Sequence, residues 1–264
     1  MRKEVLVAVV PAKNEAPFIA RVLQNLLAVP VDLAIPVVNG STDRTPEIVR
    51  RFNSPRVQPL FFPAPLGIDV PRAVGAAHAL AAGATAVLFV DGDMAGNILG
   101  ALRELARAVE RGGVDLALTN CYPPAELAFA SGLARLLLEV RLALNRELGL
   151  AGAIGTASPS HGPHAVSRRF LERVPLRELA VPPVALALAA RQGLKIKVGA
   201  CLAHRELGSP FRDATHARLV AETIIGDCLE ALCVARGLPR RRELCGISYP
   251  GYHPQRNMHL LFPA

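Results

Sequence analysis

The chain contains no tryptophan, and none of its five cysteines sits in a CxxC pair. An odd number of scattered cysteines without a CxxC pair argues against a disulfide framework. It predicts reduced thiols, most of them in the core. No apolar run reaches the roughly 18 residues needed to span a bilayer. The nearest, Leu127 to Leu144 and Val181 to Ala190, are interrupted by Arg and Glu or are too short. Met1-Arg-Lys-Glu4 runs directly into a strand pattern with no cleavable apolar segment, so a cytoplasmic protein is expected. Helix-turn-helix, RNP-type aromatic and zinc-finger signatures are missing too, which argues against nucleic acid as a partner. No segment repeats.

What is present is a globular composition of 264 residues, half of them hydrophobic, with a formal charge of +8. That charge implies an anionic partner. Small phosphorylated ligands account for it better than a membrane surface, which remains the less favoured alternative. Arg240-Arg241-Arg242 is the one tight basic cluster and reads as a solvated patch.

Strands and helices alternate through the first half. Glu4 to Val10, Leu33 to Val38, Val57 to Phe61 and Ala86 to Val90 read as buried strands. Between them lie helices over Pro17 to Leu27, from Thr45 or Asp43 onward, and over Ala73 to Ala82. This alternation predicts an α/β fold with a doubly wound, mostly parallel sheet, whose ligands gather at the C-terminal strand ends. The second half is expected to add helices over Leu99 to Arg111, Leu127 to Leu148, Val166 to Val174, Val184 to Gln192 and Leu219 to Arg236. Strands are expected at Leu116 to Asn120 and Lys195 to Ala203. The expected organisation is a nucleotide-binding half over 1–120, an acceptor-side half of the same domain over 121–238, and a tail over 239–264 that packs across the domain or onto a second subunit. A homodimer is expected.

The last strand of the first half ends in Asp91-Gly92-Asp93. Side chains alternate along an extended chain, so the two carboxylates point the same way, and Gly92 allows close approach to the backbone. Two hard oxygen donors at a strand tip suit Mg²⁺ or Mn²⁺ carrying a diphosphate.

Three strand-end motifs in order resemble the nucleotide-sugar-dependent glycosyltransferases of the GT-A fold, in particular the family-2-like group. They are Val9-Val10-Pro11-Ala12-Lys13-Asn14-Glu15, Val38-Asn39-Gly40-Ser41-Thr42-Asp43 and Asp91-Gly92-Asp93. Downstream, Tyr122-Pro123-Pro124, the stretch Gly162-Pro163-His164 to Glu172, and Val198 to Arg205 are similar to retaining enzymes of the glucosyl-3-phosphoglycerate and mannosylglycerate synthase type. The resemblance implies a hexosyltransferase with a nucleotide-sugar donor and a small anionic acceptor. It places Pro11, Ala12, Asn14, Glu15, Asn39, Ser41, Asp43, Gly67, Arg72, Asp91 and Gly92 at the nucleotide sugar. Asp93 becomes a metal ligand with His204 as its partner, and Asp93 and Asp91 carry the catalysis. Tyr122, Arg135, Gly162, His164 and Arg168 fall to the acceptor, with Ser131 to Arg135 or Gly155 to Ser160 as its loop.

The departures matter for mechanism. Asn39 stands where relatives carry an acid, and its amide is expected at a nucleobase edge. Gly67-Ile68-Asp69 replaces a glycine-lysine-glycine, leaving Arg72 as the candidate phosphate contact. No acid lies between Glu178 and Glu206, where inverting relatives keep a general base, so a retaining transfer is expected. His161 and His164 lie three apart in a Pro/Gly loop without nearby acids, which favours contact with an acceptor phosphate, or plain solvent exposure, over metal binding.

Overall fold

Valine-rich segments build the sheet. A computed structural model describes residues 4–210 and 213–260. Its first half runs β1 (Leu6–Ala12), α1 (Ile19–Leu27), β2 (Leu33–Asn39), α2 (Thr45–Arg50), β3 (Leu60–Phe62), α3 (Val70–Ala81), β4 (Ala86–Phe89) and α4 (Leu99–Glu110). The second half continues with β5 (Leu116–Asn120), α5 (Pro124–Leu127), α6 (Gly132–Glu147), α7 (Ala151–Ile154), β6 (His164–Ser167), α8 (Arg168–Arg173), α9 (Pro182–Arg191), β7 (Ile196–Cys201) and α10 (Ala214–Ala235). A small hairpin, β8 (Glu243–Leu244) and β9 (Ile247–Ser248), follows. No helix among the described residues is long and apolar enough to cross a membrane.

Seven strands form one sheet in the order β3-β2-β1-β4-β6-β5-β7, in which β6 runs antiparallel to both neighbours. Each central strand is apolar on both faces, as a doubly covered sheet requires. Leu6, Ala8 and Val10 of β1 join Leu23 and Leu102 in one core layer, while Val7 and Val9 join Val70 and Leu186 in the other. A third apolar cluster joins α6, α9 and α10 through Leu144, Val184 and Cys228. All five cysteines are unbonded.

Three expectations are corrected. The stretch from Val166 to Val174 is not one helix, because His164–Ser167 pairs with β4 and the Ser167 hydroxyl then caps α8 by accepting from Phe170 N. A helix and a short strand are indistinguishable by periodicity over so few apolar residues. The expected helix from Leu127 to Leu148 is broken, since Ser131 caps α6 at Ala134 N and separates it from α5. Arg240 and Arg242 are not a solvated patch. Arg240 pairs with the buried Glu178 at 2.8 Å, and Arg242 with Asp227 at 2.6 Å and Glu230 at 2.8 Å.

Candidate active site

Parallel pairing of β2, β1 and β4 brings their C-terminal ends to one edge of the sheet. There they floor a cavity of about 780 Å³, within the range of small-molecule sites. The end of β1 and the loop after it contribute Pro11 to Glu15, β2 ends in Asn39, the entry and first turn of α3 contribute Gly67, Ile68, Asp69, Pro71 and Arg72, and β4 is followed by Asp91 to Asp93.

Side chains join the first two loops. The Asn14 backbone is left-handed (φ 58°), a conformation that asparagine tolerates, and its Oδ1 accepts from Thr42 N at 2.8 Å. Asp43 accepts from Ala16 N and from Thr45 N, joining the first residue of α2 to the chain that leads into α1. Partial burial pushes the Asp43 carboxyl up, but the hydrogen bonds it accepts outweigh this and hold it below the usual carboxylate range. Asn39 is committed to the backbone: its amide nitrogen donates to Ala12 and Val37 carbonyls, and its oxygen accepts from Leu66 N at 3.0 Å.

Arg72 is 6% exposed, and its Nη2 donates to both carboxylate oxygens of Asp91, at 2.7 and 2.9 Å. Its Nη1 pairs with Asp69, the left-handed residue that precedes α3. Asp93 accepts at Oδ1 from the Ser209 hydroxyl, 3.2 Å away. Gly92 is fixed by close approach, since a Cβ there would lie 2.8 Å from the Pro11 carbonyl oxygen.

Beside the cavity a second group forms at the ends of β5 and β7. His161 Nε2 lies 3.0 Å from His204 Nδ1, both rings pack near Tyr122, and Arg141 Nη1 lies 3.3 Å from His161 Nδ1. Arg141 is 4% exposed and has no carboxylate partner among the described residues. Burial, together with Arg141 and His204, pushes the His161 pKa well below its ordinary value; burial lowers that of His204 too.

The model of glycosyl transferase family 2 matches residues 7–173. The chain belongs to that family. No curated protein sequence matches it significantly. Among solved structures, glucosyl-3-phosphoglycerate synthase from Mycobacterium tuberculosis with phosphoglyceric acid is 20% identical, covering 89% of this chain and 81% of that one, at a TM-score of 0.61. The same enzyme with uridine diphosphate is 18% identical over 96% and 92% of the two chains, also at 0.61. A mannosyltransferase from Pyrobaculum calidifontis with GDP-mannose and Mn²⁺ is 18% identical over 98% and 71%, at 0.59. At these identities the likeness is one of fold.

In this glycosyltransferase the expected donor residues gather well. Pro11, Ala12, Asn14, Glu15, Asn39, Gly67, Arg72, Asp91, Gly92 and Asp93 all line the cavity. Ser41 and Asp43 do not line it; they hold the loops that do, with Ser41 Oγ accepting from Asn14 N. The acceptor set scatters. Arg168 lies at the opposite edge of the sheet, because antiparallel β6 carries its C-terminal Ser167 to the first residue of β4. There Arg168 pairs with Glu172. Arg135 is exposed on α6 and donates to the Ala130 carbonyl. His164 is 2% exposed within the sheet, the first residue of β6, stacked on its strand partner Phe89 with ring centroids 4.9 Å apart. Gly162 packs on Cys121, and Tyr122 stands in the histidine group. Of the acceptor-loop candidates, Ser160 reaches the cavity.

The sequence reading missed a whole wall. His216, Val220, Thr223, Ile224 and Asp227 of α10, with Tyr252, Gln255 and Asn257 of the tail, line the far side. Their helical spacing of four, three, one and three was visible, and Asp227 between Ile225-Gly226 and Cys228-Leu229 was a signal, an acid within an apolar helix.

Proposed function

We propose that this family 2 glycosyltransferase moves a hexose from a nucleoside diphosphate sugar to a small phosphorylated or carboxylated acceptor, with retention at the anomeric carbon. The observation that carries the reading is the convergence of four separate chain segments, each named by a strand-end motif or the turn into α3, on one cavity holding Asp91 and Asp93. The solved neighbours were captured with Mn²⁺, UDP-glucose and phosphoglyceric acid, or with GDP-mannose and Mn²⁺, which supports the same ligand classes here.

The donor set fits a hard divalent cation, because Asp93 offers carboxylate oxygens on the cavity floor. Bound Mg²⁺ or Mn²⁺ supplies charge stabilisation to the departing diphosphate. Asp93 would hold it; His204 joins only by presenting a nitrogen lone pair. Arg72 holds Asp91 in place by donating to both of its carboxylate oxygens, at the edge of the cavity where the nucleotide would lie. Retention is supported by the two acids that bound the acid-free stretch 179–205. Glu178 is buried and paired with Arg177 and Arg240, and Glu206 is turned to Ala203 N. Neither serves as a base, so the acceptor's hydroxyl proton passes to the leaving diphosphate oxygen. The bond from the anomeric carbon to that oxygen breaks, and the bond to the acceptor oxygen forms on the same face.

Thermal shift with UDP-, GDP- and ADP-sugars, each with Mn²⁺, Mg²⁺ or EDTA, tests the donor site. A donor at a hundredfold excess over its Kd raises Tm by roughly 5 to 10 °C. The rise is expected for one nucleotide class, with metal, and is lost in Asp93→Ala. No shift with any of them overturns the reading.

A second reading, a lipid-phosphate acceptor at a membrane surface, rests on one feature. Leu127, Phe129, Leu133 and Leu136 are exposed together, Phe129 at 73%, with Arg205 over its ring. Co-sedimentation with phosphatidylglycerol vesicles that is lost in Phe129→Ser favours it; no co-sedimentation removes it.

A further inference from the structure

Arg256 lies 187 positions from Asp69 in sequence, yet residues 255–257 are bound to the loop that leads into α3. Asn257 N donates to the Leu66 carbonyl at 2.9 Å and its side-chain amide to the Pro65 carbonyl at 2.7 Å. Gly67 is pressed so close that a Cβ there would lie 2.3 Å from the Gln255 carbonyl oxygen. Between these contacts stands Arg256, its side chain 1% exposed.

Every arm of this guanidinium is used. Its two terminal nitrogens grip both carboxylate oxygens of Asp227, each at 2.7 Å. One of them also reaches Asp69 at 3.3 Å, and its Nε donates to the Ile68 carbonyl at 3.2 Å. Taking an arginine out of water is costly unless its partners are exact, and this bidentate geometry meets that condition. The contacts fall at the seam of two cavity walls, α10 on one side and the entry to α3 on the other. The charges then alternate without a break toward the floor: Asp227, Arg256, Asp69, Arg72 and Asp91.

We propose that Arg256 is a positioning residue for the donor. It touches no reacting atom. It fixes the 65–69 loop against the tail and, through Asp69, holds Arg72 on Asp91, the carboxylate facing the nucleotide. The tail is thus part of the donor site, presenting Tyr252, Gln255 and Asn257 to the cavity. This inference rests on the reading of the cavity as a nucleotide-sugar site.

The test is calorimetric titration of UDP and of GDP, with Mn²⁺, into the full chain and its variants. Arg256→Gln is expected to weaken the tighter nucleotide at least tenfold. Arg256→Lys, which restores a charge but not the fork, is expected to recover part of the loss. Asp69→Asn attacks the same route from the other side while leaving the Arg256–Asp227 pair intact, and it is expected to weaken binding as well. Because one chain of contacts is cut in both, the double variant Arg256→Gln/Asp69→Asn is expected to bind no worse than the weaker single variant. Wild-type affinity in folded Arg256→Gln, or losses that add in the double variant, overturns the proposal. If Arg256→Gln does not fold, Asp69→Asn alone decides: unchanged affinity overturns the proposal and weakened affinity upholds it. A wild-type chain that binds neither of these nucleotides, nor ADP, with Mn²⁺ defeats the nucleotide-sugar reading first, and that result is distinct from any variant effect.

Discussion

His161 Nε2 lies 3.0 Å from His204 Nδ1, and the proton between them belongs to His161. A guanidinium only donates, so the His161 Nδ1 that faces Arg141 at 3.3 Å must accept. Neutral His161 therefore carries its proton on Nε2 and gives it to His204 Nδ1. His204 is left with its own proton on Nε2, a donor suited to an anionic oxygen. Metal ligation through that atom requires the relay to reverse. Long-range ¹H–¹⁵N correlation at pH 7.5 is expected to show His204 as the Nε2–H form. In Arg141→Met the tautomers mix, because nothing then fixes the first proton. A His204 found as Nδ1–H in the wild-type chain refutes the relay.

Motif order made the donor side legible and left the acceptor side dark, for a physical reason. Strand-end loops in a parallel sheet converge whatever their side chains do, so locating Ala86 to Val90 and Glu4 to Val10 was enough to bring Asp93 and Glu15 to one edge. Arg168 was placed at the acceptor by resemblance, and the reversed strand that ends just before it lay hidden in a stretch expected as helix. Four residues of β6 carry no signal of direction, and direction alone decides which end of the sheet they reach. The Arg240 to Arg242 cluster misled in another way. Its acids, Glu178, Asp227 and Glu230, lie far away in sequence or on the helix expected over Leu219 to Arg236, and an ion pair between separate elements leaves no local pattern. Asn39 was found but given the wrong partner: its amide closes the backbone around β2 where a base-edge contact was expected.

Gly92→Ala probes the floor of the cavity. The new Cβ would meet the Pro11 carbonyl oxygen at 2.8 Å and the Ala12 Cβ at 3.2 Å, and the nearer of these is backbone that cannot rotate away. The turn must lift off β1, carrying Asp91 and Asp93 with it. A stability loss of about 1–3 kcal/mol is expected by denaturant unfolding. Metal-dependent UDP or GDP affinity should fall at least tenfold in the same protein, whereas an equally destabilising change at a distance, such as Leu186→Val, should leave it intact.

His164 predicts how the protein responds to acid. Burial, with the nearby Arg72 charge, pushes its pKa down to about 3. A histidine lowered in this way binds its proton more readily in the unfolded chain. Its contribution is fully present above pH 6.5 and is lost as pH falls from there toward 3, by about 1.4 kcal/mol per pH unit. His164→Gln does not titrate. Between pH 7 and pH 5 its stability should fall less than that of the wild-type chain by roughly 2 kcal/mol in urea unfolding. Equal losses in the two proteins would show that His164 charges without penalty.

Asp43 separates support of the site from contact with ligand. Its two oxygens accept from Ala16 N at 3.0 Å and Thr45 N at 2.9 Å, so one carboxylate joins the first residue of α2 to the chain leading to α1. Thr45 Oγ1 in turn accepts from Glu15 N at 2.8 Å, which ties this junction to the cavity wall. Asp43→Ala removes both acceptors and should cost about 1–2 kcal/mol. Asp43→Asn keeps one oxygen and should cost about half as much. Since the carboxyl is held below its ordinary range, its charge stabilises the fold above that range and the benefit fades as pH falls through it, so the Ala and Asn penalties should shrink near pH 3. Nucleotide affinity discriminates the role. If Asp43 acts only through the loops, the Asn variant binds nearly as well as wild type, and the Ala variant binds in proportion to its loss of order at Asn14 and Glu15, read by amide exchange. A large affinity loss in Asp43→Asn with normal exchange protection would instead mean that the carboxylate itself meets the nucleotide.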